Sequence, residues 1–174
     1  MSQDWQNILG RRLRKASRIV VLGVGSELKG DDAAGMLLIK KLQMARLPAE
    51  KILLLAGSTA PENFTGLICS FNPELLVVVD AAHLGGKPGD ISIIEESQLK
   101  DEGFSTHMLP FSVMLQYLRK HSIRETILLG IQPRSMEFGF EPCSEVTETV
   151  EELAVFLSKT FKRSDDEKQL RSFS

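Results

Sequence analysis

The pattern of hydrophobic and polar positions along the chain consists of short apolar runs. Between these runs lie stretches in which apolar residues recur with the period of an α-helix. The runs are rich in Val, Ile and Leu and are bounded by Gly, Pro or polar residues, which is typical of buried strands. They predict strands at Ile19–Leu22, Lys51–Ala56, Glu74–Asp80, Asp90–Ile94 and Glu125–Ile131. The fourth run is short and alternates less cleanly than the others, so we expect it at the edge of the sheet.

Helical spacing fills most of the chain between these strands. Helices are predicted within residues 1–16, directly after the first strand, from Pro61, from Pro110 and from Ser144 to Lys162. Ser58 or Thr59 is available to cap the helix that begins at Pro61. Residues 163–174 are polar and are expected to form a flexible C-terminal tail after a single domain that spans residues 1–162. The alternation of strands and helices predicts an α/β sandwich.

The composition is that of an ordinary soluble domain. The chain has 174 residues, of which 43% are hydrophobic and 25% charged, and its net charge is −2. This balance excludes a general attraction to nucleic acid, and the basic cluster at residues 11–15 is explained as a solvated helix face. No stretch approaches the roughly 20 apolar residues of a membrane span, and no signal-peptide core is present, so we expect a cytoplasmic protein. Cys69 and Cys143 form no C-x-x-C or zinc pattern, which fits a reducing compartment.

Two adjacent acids follow the first strand. That strand ends in a turn that contains Gly23 and Gly25, and Asp31 and Asp32 lie between this turn and the next helix. Asp at a helix start commonly caps free backbone N–H groups, so Asp31 is expected to be structural and to point toward the backbone of its own loop. Capping does not account for a second acid. Dinucleotide binding is disfavoured because G-x-G-x-x-G would need glycine at Leu28 and two negative charges would face the pyrophosphate.

Further candidates follow the third strand and precede a later helix. Asp80 ends the strongest apolar run, and His107 comes just before the helix that Pro110 opens. If the first and third strands are neighbours, Asp32 and Asp80 reach one crevice at the carboxyl ends of the strands. Two carboxylates and one imidazole would then form a three-ligand metal site with open coordination positions.

Each of these candidates also has a structural explanation. A strand-terminal Asp such as Asp80 often binds loop amides, and His107 could simply be a helix-start residue. His83, three residues after Asp80, is a rival ligand in a Gly-rich turn, whereas His121 near a helix C-terminus is explained by the helix dipole. No G-x-S-x-G or H-E-x-x-H sequence is present. The residues alone therefore indicate a metal-associated hydrolase or binding site.

Five ordered segments give the chain a resemblance to a known family. The segments are GVGSELKGDDAAG, GSTAPEN, VVVDAAHLGGKPGDI, STHMLP and LLGIQP. In this order and at these intervals, over residues 18–160, the chain resembles the hydrogenase maturation endopeptidases of the hydrogenase 3 (formate hydrogenlyase) type. The resemblance implies a single domain with a twisted, mostly parallel five-stranded sheet sandwiched between helices.

The resemblance also implies an activity. Members of this family remove a short C-terminal extension from the large-subunit precursor of a [NiFe] hydrogenase after nickel insertion. The family's catalytic, metal-contacting positions fall on Asp32, Asp80 and His107 of this chain. We expect the nickel to arrive with the precursor, held by the precursor's own cysteines, and we expect no tightly bound resident metal in the enzyme. Two positions depart from the family pattern, since Ser26 stands where Asn is common and Ala33 where Gly is common.

Two alternatives stay open beside this interpretation. A hydrolase with its own resident metal ion would use the same three residues. A noncatalytic, chaperone-like module would bind the hydrogenase subunit without cutting it. For the family interpretation the expected partner is the large-subunit precursor of a [NiFe] hydrogenase, with neither nucleic acid nor membrane insertion, and the protein is expected to be a monomer.

Overall fold

Five helices and five strands make up the part of the chain that the computed structural model describes, residues 4–94 and 108–172. Side chains are described in both ranges except at 108–111 and 164–172. The helices are α1 (Asp4–Lys15), α2 (Ala34–Gln43), α3 (Thr65–Phe71), α4 (Met108–His121) and α5 (Ser144–Ser172). The strands are β1 (Ile19–Val24), β2 (Ile52–Ser58), β3 (Leu75–Ala81), β4 (Ile91–Ile94) and β5 (Glu125–Ile131). Short 3-10 turns at Gly30–Ala33 and Pro61–Phe64 lead into α2 and α3.

The strands form one mixed sheet in the order β2-β1-β3-β5-β4. Strand β1 is parallel to both β2 and β3, strand β3 is parallel to β5, and β4 is antiparallel to β5 at the edge. The expected five-stranded, mostly parallel sheet is confirmed, as is the edge position of the fourth strand. From β1 the chain builds the sheet first toward β2 and then, through β3, in the opposite direction. The topological switch point therefore lies between β1 and β3.

Apolar side chains cover both faces of this sheet. On one face Val21, Val77 and Leu129 belong to a core that also contains residues of α1, α2 and α5. On the other face Leu22 and Val78 pack with residues of α3 and α4. Successive strand residues thus alternate between the two cores, as the period of a strand requires. Burial on both faces explains why the strands are continuous apolar runs in the sequence.

Three predictions about helix ends differ from the structure. Helix α4 begins at Met108 and not at Pro110. The predicted cap by Ser58 or Thr59 is wrong, because β2 continues through Ser58 and no side chain caps the turn that Pro61 begins. Helix α5 extends to Ser172 instead of ending at Lys162. The flexibility predicted for residues 163–174 stays a prediction. Within the described residues, no helix combines the length and the apolar composition that a membrane crossing would require.

Candidate functional site

The turn after β1 places the Asp32 carboxylate against the end of its own strand. The Ser26 backbone N–H donates to Asp32 Oδ2 at 2.9 Å. Gly25 has a φ of +119°, and a Cβ there would be 1.9 Å from the Asp32 carbonyl oxygen. Only glycine therefore fits both the backbone conformation and the space. The Ser26 hydroxyl accepts from the Leu28 N–H at 3.3 Å, so the serine side chain also stabilises the turn.

The other carboxylate oxygen of Asp32 is the unusual atom of the site. Asp32 is 3% exposed, and its Oδ1 atom is buried with no hydrogen-bond partner among the described residues. Burying a carboxylate oxygen without a donor is unfavourable, so such an atom in a folded protein requires an explanation, which a bound ion, a bound water or a catalytic role can provide. The negatively charged Oδ1 atom of Asp32 can thus bind a cation that comes from outside the described part of the chain.

Asp80 lies at the carboxyl end of the neighbouring strand. It is 7% exposed and is in register with Gly130 on β5. Strands β1 and β3 are paired up to Gly23 and Val79, and β3 contacts the turn that carries Asp32. The condition on which the common crevice depended, that the first and third strands are neighbours, is therefore met. The two acids flank the switch point of the sheet, where open α/β folds bind ligands.

Gly35 holds the start of α2 against both of these strands. A Cβ at Gly35 would be 2.4 Å from the carbonyl oxygen of Val24 and 2.4 Å from that of Val79. Real Cβ atoms essentially never approach other heavy atoms this closely. The missing side chain lets the helix contact the ends of β1 and β3 directly. This contact fixes the position of the helix relative to the strand ends from which the two acids emerge.

Asp31 binds the loop that follows β5. Its Oδ2 atom accepts from the backbone N–H groups of Arg134 at 2.6 Å and Ser135 at 3.1 Å, and its Oδ1 atom from that of Cys143 at 2.6 Å. No side chain caps the 3-10 turn or α2. The expected structural role of Asp31 agrees with these bonds, but both expected partners, the helix start and its own loop, are wrong. The residues from 132 to 143 are called the β5–α5 loop below.

The same three donors keep the Asp31 carboxyl ionised. Burial raises the pKa of Asp31, but the backbone N–H groups of Cys143, Arg134 and Ser135 outweigh it and hold the pKa below its ordinary value. Hydrogen bonds to an ionised acceptor are roughly twice as strong as neutral ones. The pKa of the Cys143 thiol is raised, first by burial and further by the Asp31 charge. Cys143 is therefore a neutral thiol at neutral pH, which disfavours a nucleophilic role.

Of the three histidines, the structure describes His83 and His121 but not His107, which is the predicted metal ligand. His107 lies outside the described residues, so its place beside Asp32 and Asp80 stays a prediction. His83 is exposed on the loop after β3, and His121 contacts Tyr117 with the ring centroids 4.4 Å apart and the ring planes tilted by 38°. Among the side chains that the structure describes, in residues 4–94 and 112–163, no three His, Cys, Asp or Glu residues are placed to share a metal ion.

Sequence reasoning missed two parts of the site, the amide groups around Asp31 and the contact of Gly35. Nothing in the local pattern of the β5–α5 loop pairs its N–H groups with an acid more than 100 residues earlier. Gly35 did leave a signal, because an isolated glycine in a helical pattern usually has a packing reason.

An α/β sandwich with two buried acids at its switch point is the architecture of a protein that acts on a ligand at the carboxyl ends of its strands. Comparison with known proteins identifies which kind. Residues 36–159 match the family model for HycI, described as a hydrogenase maturation protease.

Individual relatives agree with this match. The hydrogenase 3 maturation protease of Escherichia coli K12 is 36% identical over 135 residues, which cover 75% of this chain and 85% of that protein. The crystal structure of a [NiFe] hydrogenase maturation protease HycI from Thermococcus kodakarensis superposes with a TM-score of 0.80 at 33% identity, covering 89% of this chain and 99% of that one. The hydrogenase maturating endopeptidase HybD from E. coli has a TM-score of 0.72 at 27% identity over 84% and 93% of the two chains. The chain belongs to the hydrogenase maturation protease family and is an endopeptidase.

Proposed function

We propose that this endopeptidase removes a C-terminal extension from the large-subunit precursor of a [NiFe] hydrogenase once nickel has been inserted. Asp32, Asp80 and His107 contact the nickel that the precursor carries. The observation that supports this most directly is the buried Oδ1 atom of Asp32, which has no partner among the described residues. A metal ion that arrives with the substrate compensates the negative charge of this buried oxygen.

The chemistry of the donor set explains why the metal comes with the substrate. Thiolates of the precursor bind nickel strongly, whereas two carboxylates and one imidazole supply only three ligands of lower affinity. The free enzyme is therefore expected to bind nickel weakly. In the complex the metal positions the bond to be cut against Asp32 and Asp80, so that cleavage follows metal loading.

The test is an intact-mass measurement of the nickel-loaded precursor before and after incubation with the enzyme. We expect loss of a C-terminal peptide from the loaded precursor and no change in the nickel-free precursor. Replacing Asp32, Asp80 or His107 by Ala should abolish this mass change while the circular dichroism spectrum is retained. His83→Ala is the matched control, because His83 is exposed on the loop after β3 and should be dispensable.

Three outcomes would contradict the proposal. Tight nickel binding by the free enzyme in a calorimetric titration, together with cutting of nickel-free precursor, would identify a hydrolase with a resident metal. Binding of the precursor without any mass change would identify a noncatalytic module. Activity that survives His107→Ala but not His83→Ala would transfer the imidazole role to His83.

A further inference from the structure

Three large apolar side chains are exposed beside the turn that carries Asp32. Leu28 is 62% exposed, Phe138 71% and Phe140 60%. Leu28 belongs to the turn after β1, whereas Phe138 and Phe140 belong to the β5–α5 loop. These three residues are called the apolar lip below.

Backbone hydrogen bonds join the two segments of the apolar lip. The Gly139 N–H donates to the Leu28 carbonyl at 2.8 Å, and the Gly30 N–H donates to the Phe140 carbonyl at 3.0 Å. Asp31 binds the same loop on both sides of the phenylalanines. The apolar lip is therefore attached to the Asp32 turn from both ends.

Gly139 separates the two phenylalanines. Its φ is +83°, a conformation that other residues rarely adopt, while a Cβ at this position would meet no heavy atom within 4 Å. The backbone conformation, and not the lack of space, thus requires glycine here. The chain adopts this special conformation at the point where two aromatic side chains remain exposed.

An exposed apolar side chain that stands alone needs no explanation, but adjoining ones beside a functional site mark a contact with another molecule. We propose that the apolar lip binds an apolar segment of the protein substrate next to the bond that is cut. This inference rests on the proposed function, which supplies the protein substrate. The occupant is the precursor and not a second copy of the enzyme, because the lip is continuous with the turn that bears Asp32. A second copy bound there would cover the crevice.

The apolar lip contributes binding energy and not chemistry. Its side chains would contact a part of the substrate that does not change during cleavage, so we expect this contact to have the same strength in the ground state and in the transition state. Loss of such uniform binding raises KM and leaves kcat nearly unchanged. This kinetic pattern distinguishes the lip from Asp32 and Asp80, whose loss should remove kcat.

The experiment compares steady-state cleavage of the nickel-loaded precursor by the wild type and by the double variant Phe138→Ala/Phe140→Ala. We expect KM to rise about tenfold or more, since buried aromatic contacts are strong at protein interfaces, and kcat to change by less than about twofold. Replacing both phenylalanines by Leu should restore most of the affinity. Met44→Ala is the matched control, because Met44 is 77% exposed at the far end of α2 and should not affect KM.

Each result decides one question. If the wild type does not cut the loaded precursor, the proposed function fails. If the wild type cuts and the double variant has an unchanged KM, or loses kcat instead, the inference about the lip is wrong while the proposed function stands. A wild-type dimer that the double variant converts to monomers would make a second copy the occupant. The single variants Phe138→Ala and Phe140→Ala provide the same readout if the double variant does not fold.

Discussion

Replacing Asp31 by Asn tests the account of the acidic turn, because the two side chains have nearly the same shape. In the wild type one carboxylate accepts three backbone N–H groups, at 2.6, 3.1 and 2.6 Å. The Asn amide has a single acceptor oxygen, so it can accept either from Arg134 and Ser135 or from Cys143, but not from both sides. Its NH2 group then faces backbone N–H donors on the other side. The substitution thus removes hydrogen bonds and also places donor against donor.

The magnitude follows from the number of bonds that are lost. A hydrogen bond to a charged group contributes about 1.5–3 kcal/mol, and a buried donor left without a partner costs about 1–3 kcal/mol. These two figures describe the same lost interaction and are not added, so with at least one such bond lost Asp31→Asn should lower the free energy of unfolding by about 1.5–3 kcal/mol. A side chain that only capped a helix would contribute about 0.5–2 kcal/mol.

The assay is urea unfolding at pH 7, followed by circular dichroism, with the slope on denaturant compared between variants. Asp90→Asn is the matched control, because Asp90 accepts a single backbone N–H, that of Lys87 at 2.8 Å, in an exposed turn. The control should lose less than about 1 kcal/mol. A loss for Asp31→Asn as small as that of the control would refute the three-donor account.

The difference in stability between the wild type and Asp31→Asn should depend on pH. Because the pKa of Asp31 is lower in the folded than in the unfolded protein, its stabilising contribution is present above the unfolded pKa of about 3.9. This contribution is lost as the pH falls through the lower pKa of the folded state. Asn does not titrate, so the difference in unfolding free energy between the wild type and Asp31→Asn should shrink below about pH 4. A difference that stays constant down to pH 2 would contradict the assigned ionisation.

Three further predictions concern other parts of the chain. Gly35→Ala should lower the free energy of unfolding by about 1–3 kcal/mol, because its Cβ would overlap two strand carbonyls even though Ala normally favours a helix. Thermal unfolding measures this change, and a variant more stable than the wild type would contradict the close contact. Ser26→Ala should lose less than about 1 kcal/mol in the same assay and retain cleavage, since Asp32 is bound by the backbone N–H and not by the hydroxyl. Deleting residues 163–174 should leave the melting temperature nearly unchanged, because Phe161 is the last buried side chain among those described on α5; a large drop would show that this segment packs on the domain.

The sequence allowed the sheet to be predicted well because its central strands, β1 and β3, are buried on both faces. Strand β5 was predicted from Glu125 to Ile131, which are its observed ends, and the less regular β4 was correctly placed at an edge. Burial on both faces gives an unbroken apolar run, which is the clearest signal that a strand can leave. The adjacency of β1 and β3 could be stated only as a condition, since strand order depends on contacts that no local pattern records.

The site was predictable only in part, for a related reason. Asp32 and Asp80 are next to strong strand patterns, so their position at the strand ends followed from local structure. The partners of Asp31 did not, because backbone N–H groups are the same in every residue and carry no sequence signal. An expectation based on helix capping therefore gave the correct kind of role to Asp31 and the wrong partner.

The distance along the chain between Asp31 and its donors also determines how early in synthesis the Asp31 hydrogen bonds can form. These residues are 103, 104 and 112 positions apart. At a synthesis rate of about 5–20 residues per second, Asp31 leaves the ribosome roughly 5–20 s before the loop that binds it. Closing so long a loop is entropically unfavourable until β3 and β5 have paired. A nascent chain with β1, α2 and β3 already folded thus still lacks the hydrogen bonds that hold its acidic turn, so this turn is fixed only after β5 and the loop that follows it have been added.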